Sequence, residues 1–202
     1  MFPEFFASAP NIPMTDPLAR FLGVCADGQI LYRYEDAVRL AGHSCPTVAS
    51  TFLATRLALR ALYGDALPVR GEIRVDFANA QDAGVTGVMA NVASLITGAA
   101  AEGGFAGLSG HFERRNRLFF GQALQQGSLA FSRLDNGARV ELGMDLSSIP
   151  SDPRVGQLMP GCLAGQASKE ECQLLGQLWQ DRVKRLLLEH ADDPNIFKVY
   201  QQ

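Results

Sequence analysis

Apolar positions along this chain change period in a way that outlines its elements one after another. From Pro46 to about Leu62, the residues Val48, Phe52, Thr55, Leu59 and Leu62 recur at helical spacing. Pro46 marks where that helix begins, because its missing N–H costs nothing in a first turn. Asp82 to Thr97 holds a second helix, with Val85, Val88, Met89, Val92 and Ile96 in near-helical register across two glycines. Alternation replaces this period in Gln29 to Tyr34 and in Gly71 to Phe77, where Ile73, Val75 and Phe77 share one face of a strand. Three further runs, Leu118 to Leu124, Ser128 to Leu134 and Ala138 to Met144, read as antiparallel strands, the last two joined by Asp135-Asn136-Gly137.

Shorter signals fill in the rest. Thr15-Asp16-Pro17 starts a short helix that buries Leu18, Phe21 and Leu22, and Glu35 to Leu40 forms a short helix or turn. Pro150 to Gly165, with three prolines, reads as a loop. Ser168 and Glu171 make a capping box for a helix through Trp179 to about His190. Together these elements predict an α+β fold, an antiparallel sheet packed with helices. The expected organisation is a single core domain over residues 1–202, with 1–14 as an N-terminal extension and 168–190 as a C-terminal helix.

Composition narrows the function classes. A chain of 202 residues buries roughly 70% of its unfolded surface without a disulfide or metal to hold it together, so a bound metal is expected to be functional. A net charge of −3, a pI near 5.6 and the absence of a Lys/Arg run argue against a nucleic-acid partner. Four cysteines, at 25, 45, 162 and 172, show no dense framework, which favours reduced thiols. MFPEFFASAPNIPM has no basic leader and is broken by prolines, and the Gly/Ala-rich run Asn91 to Gly110 contains Glu102. Neither reads as a signal peptide or a membrane span, so a cytoplasmic protein without a membrane partner is expected.

The densest chemistry lies in Gly42-His43-Ser44-Cys45-Pro46, where an imidazole and a thiol stand immediately before the long helix. With Pro46 at the first helical position, Cys45 falls at the N-cap, where the positive end of the helix favours the thiolate that binds metal or acts as nucleophile. Two ligands do not complete a site, since zinc takes three or four from the protein. His111, beyond the glycine-dense loop of residues 103–110, is the first candidate third ligand. Cys162, in a Pro160-Gly161 loop, is a candidate resolving thiol, whereas Cys172 reads as a small buried thiol and Cys25 as structural. Arg114, Arg115 and Arg117 read as a solvated basic face, and the glycines of residues 103–110 do not form a phosphate loop.

The stretch AGHSCPTVASTFLATRLALRALYG resembles the FmdE family of formylmethanofuran dehydrogenase components, whose helix start reads Gly-His-x-Cys-Pro-Gly. The similarity resumes at Asp82-Ala83, at Thr97-Gly98 and in LLLEHADDPNIFKV, Leu186 to Val199. The resemblance implies a dimer-forming α+β core with a His/Cys metal site, without the small zinc finger that some members carry. It also places Asp82 where it would orient His43 or accept a proton. Departures are Thr47 for glycine, Thr51-Phe52-Leu53 for a Gly-Tyr-Arg run, and Asn79 and Ala99 at positions expected to be cysteine.

The resulting expectation is a metal-binding protein with zinc or iron on His43, Cys45 and His111 near a small-molecule cleft. Cys45 and Asp82 are the catalytic candidates if it is an enzyme, and a homodimer is expected from the resemblance and from the small-residue surface of residues 82–110. The alternatives are a metal-free thiol redox protein using Cys45 with Cys162, and a non-catalytic accessory or ligand-binding component of a redox enzyme.

Overall fold

A computed structural model describes residues 2–201. In chain order it comprises a 3-10 turn Glu4–Ser8, β1 Ile12–Thr15, α1 Pro17–Phe21, β2 Gln29–Tyr32, α2 Tyr34–Ala41, α3 Pro46–Tyr63 and β3 Ile73–Phe77. There follow α4 Thr86–Thr97, β4 Leu118–Phe119, β5 Leu129–Arg133, β6 Arg139–Met144, α5 Pro153–Leu163, α6 Lys169–Leu188 and β7 Phe197–Gln201. The fold is α+β, as the alternation of periods predicts. A five-stranded sheet in the order β4-β3-β5-β6-β7 packs against helices, and β1 and β2 form a separate antiparallel pair.

Helix α3 is the centre of the core. It buries Val48 to Thr55 continuously, then Ala58, Leu59, Leu62 and Tyr63. The helix lies across β5, β6 and β7 and touches α2, α4 and α6. A helix covered on so many sides cannot show a clean apolar stripe, and its buried hydroxyls must find partners within the helix. Thr51 and Thr55 do so by donating to the carbonyls of Thr47 and Thr51, each at 2.8 Å. Among the described residues, no helix is long and apolar enough to cross a membrane.

Several expectations are corrected by the tertiary arrangement. Leu118–Phe119 does not pair with β5; it runs parallel to β3, which inserts between them and pairs antiparallel with β5 from Ile73↔Arg133 to Phe77↔Leu129. The segment Pro150 to Gly165 is not a loop, because Asp152 caps helix α5, with Pro153 in its first turn, by accepting from the Arg154 N–H at 2.9 Å. The short helix α1 begins where Asp16 places it but buries Ala19, leaving Phe21 and Leu22 exposed. The segment read as an N-terminal extension enters the core through Phe6, Ile12 and Met14, with Met1 outside the described residues.

Arg114 overturns the reading of its neighbourhood as a solvated face, because it is buried. Its Nη2 donates to Asp16 Oδ1 at 2.7 Å, and Arg70 Nη1 donates to Asp16 Oδ2 at 3.1 Å. Asp16 Oδ1 also accepts the Leu18 and Ala19 N–H groups at 2.9 and 3.2 Å, so one carboxylate caps α1 and joins two distant loops. Only glycine fits beneath the guanidinium at position 71: φ is +90° there, and a Cβ would lie 1.8 Å from Arg114 Nη1. Burial pushes the Asp16 pKa up, but Arg114, the Ala19 amide and Arg70 outweigh it and hold the carboxyl below the ordinary 3.8.

Asp16→Ala leaves Arg114 buried beside no carboxylate and is expected to cost about 3 kcal/mol or more in urea unfolding at neutral pH. Because the folded pKa of Asp16 lies below the unfolded one, its stabilisation is complete above the unfolded value and is lost as pH falls through the folded value. The difference between wild type and Asp16→Asn is therefore expected to shrink on acidification below about pH 4. An undiminished difference at low pH would show that the charge of Asp16 is not what the site uses.

Candidate functional site

The residues Gly42 to Pro46 form a hard corner between α2 and α3. Gly42 ends α2 in the left-handed conformation at φ +74°, which only glycine adopts without strain, and Cys45 starts α3 as its N-cap with extended backbone angles. Cys45 Sγ accepts the Val48 N–H at 3.4 Å, as the Cys45-Pro46 pair predicts. The thiol is buried, at 8% exposure, whereas His43 is exposed.

The His43 ring is fixed by one hydrogen bond, 2.9 Å between Nδ1 and the Ala41 carbonyl. A carbonyl oxygen only accepts, so Nδ1 carries the proton and Nε2 is the ring position left for a ligand. Histidines that bind metal usually have their second nitrogen anchored in this way.

Ser44, between the two candidate ligands, is held by residues that spacing alone does not reveal. Its carbonyl accepts from Trp179 Nε1 at 3.0 Å and from Gln180 Nε2 at 3.1 Å, while its hydroxyl donates to Gln180 Oε1 at 2.9 Å. The Tyr34 hydroxyl completes the set at 2.9 Å from Ser44 Oγ. Burial pushes the Tyr34 phenol well above its ordinary value, against the opposing effect of the Ser44 bond, so it stays protonated. A signal exists in the single tryptophan of the chain, whose N–H needs a partner when partly buried. Nothing in the sequence names that partner.

The other sequence-derived candidates lie apart in the fold. His111 is exposed in the turn Leu108 to His111 with its ring against Phe112, at 6.0 Å between centroids. Asp82 is exposed in the turn before α4, and no hydrogen bond ties it to His43. Asn79 lines a cleft of about 330 Å³ with Phe77, Thr86, Met89 and Ser128. Ala99 is buried, and Cys25 is partly buried. Cys172 departs from the expectation of a buried thiol: it is exposed, because the first turns of α6 lie outside the core, which this helix meets from Trp179 onward and enters with Val183, Leu186 and Leu187. Among the described residues, no group of three or more His, Cys, Asp and Glu side chains is arranged to hold a metal ion. The third histidine, His190, sits 2.9 Å from Asp193 Oδ2 at the end of α6.

The arrangement therefore offers an outward imidazole nitrogen and an N-capping sulfur, braced from behind by α6. No protein-family model matches the chain, and no curated protein matches it.

The Ser44 clamp yields a direct prediction. Trp179→Phe keeps the ring packing but removes the indole N–H, and is expected to cost about 1 kcal/mol in unfolding free energy. Gln180→Leu removes two of the bonds to Ser44 and is expected to cost more. Equal stability of both variants and wild type in urea titrations would show that α6 does not brace this corner.

Proposed function

We propose that this chain is a transition-metal-binding protein of the FmdE-like class, with His43 Nε2 and Cys45 Sγ as ligands of zinc or iron. The observation that carries the reading is the anchoring of His43 Nδ1 on the Ala41 carbonyl beside a cysteine that caps α3. Imidazole nitrogen and thiolate sulfur suit zinc and iron better than hard cations. These donors would supply two of the four positions of a tetrahedral set, leaving the others to a group from a second copy of the chain or to a bound small molecule.

Zinc or iron held by His43 and Cys45 would supply Lewis acidity. This chain's own part is to fix the tautomer of His43, to hold the Cys45 sulfur against the Val48 amide, and to keep Ser44 from moving between them.

Protein purified without an affinity metal is expected to contain up to one transition-metal ion per chain by elemental analysis, and Cys45→Ser combined with His43→Ala is expected to remove it. Substoichiometric metal retained equally by the double variant would overturn the reading. The homodimer proposed with it is expected to give twice the chain mass by light scattering at micromolar concentration. A monomer mass would remove the second copy as a source of ligands.

A further inference from the structure

The α5–α6 hairpin carries chemistry that the His43/Cys45 corner does not use. Cys162 lies in the last turn of α5 and Cys172 in the first turns of α6, joined by a short connection that is itself hydrogen-bonded. The Gln166 and Ala167 amides both donate to the Gly161 carbonyl, at 2.9 and 3.1 Å, and the Gly165 amide donates to Cys162 O at 3.2 Å. Ser168 and Glu171 cap α6 reciprocally and fix the direction in which it leaves the turn. The turn thus folds α5 and α6 back on each other, and the thiols of Cys162 and Cys172 come near enough for one to bear on the ionisation of the other. Both are free thiols, one partly exposed and one exposed.

This hairpin has little else to hold its tip. Val155 is the buried residue of α5, and α6 is buried at Val183, Leu186 and Leu187, all beyond Cys172 toward its far end. Leu163, next to Cys162, is 82% exposed. A pair of accessible thiols on adjoining helices of a projecting hairpin is placed to react with solutes and then with each other.

We propose that Cys162 and Cys172 form a dithiol–disulfide site that is oxidised by small-molecule disulfides and, once oxidised, staples α5 to α6. The exposed Cys172 reacts first: its thiolate attacks one sulfur of R–S–S–R, that bond breaks, and R–S⁻ leaves to take up the proton Cys172 lost. The Cys162 thiol then gives up its proton and attacks the Cys172 sulfur of the mixed disulfide, releasing the second R–SH. Two protein thiols lose two electrons and two protons, and one R–S–S–R becomes two R–SH. The order follows from exposure, greater at Cys172, and from ionisation: the neighbouring Cys172, followed by burial, pushes the Cys162 thiol up to about 11, which makes it the poorer first nucleophile. Cys45 takes no part, being buried at the start of α3.

The test equilibrates the full chain in glutathione buffers of increasing oxidised fraction, traps free thiols by alkylation, and maps peptides without reduction. The expected result is a Cys162–Cys172 cross-linked peptide, lighter by two hydrogens, that appears before any other cysteine pair and is lost on treatment with dithiothreitol. Cys162→Ser is expected to stop at a glutathione adduct on Cys172. The decisive reading is made on wild type and so is independent of how a variant folds. A persistent glutathione adduct on wild-type Cys172 without the cross-link, or a disulfide joining Cys45 to either residue, would overturn the proposal.

Discussion

Nearly complete burial of α3 is the constraint on which the rest of the molecule depends. A helix apolar on most of its circumference cannot stand at a surface, so the sheet must cover one side while α2, α4 and α6 cover the others. That enclosure fixes where the helix begins, and the beginning is where the imidazole and the thiol stand. The exposed Arg60 and the partly exposed Arg56 reach solvent near its far end, where both pair with Asp192 beyond α6. The position of Cys45 is thus a property of the core, and its burial follows from the same packing that holds Phe52 and Leu53.

Local signals are legible where a local cause decides the structure. The capping box of Ser168 and Glu171, the proline at the start of α3 and the turn between β5 and β6 depend on residues a few positions apart, and the elements they mark lie where the pattern puts them. Pro150 to Gly165 misleads because prolines mark loops in general yet suit the first turn of a helix, and Pro153 stands one residue after the capping Asp152. The place of β4 is illegible for another reason. Alternation identifies a strand but not its neighbour, and β3 separates β4 from β5 in the sheet.

The candidate site divides in the same way. Cys45 as N-cap follows from five consecutive residues, whereas the clamp on Ser44 comes from a helix that no spacing rule connects to it. Arg114 shows the reverse error. Three arginines within four positions look like a solvated face, but one turns inward because Asp16 needs a cation and Gly71 leaves room for it. Local sequence sorts the cysteines into buried and accessible ones, and the projection of the α5–α6 hairpin, a tertiary property, reverses the sorting for Cys172.

The clamp on Ser44 also has a history in time. Trp179 follows Ser44 by 135 residues, so during synthesis the corner emerges long before its brace. At roughly 5–20 residues per second, the interval is on the order of ten seconds. Throughout it, the Ser44 carbonyl is without the Trp179 and Gln180 donors that hold it in the finished fold. A nascent chain and a finished one therefore present the same two side chains, the His43 imidazole and the Cys45 thiol, with different freedom.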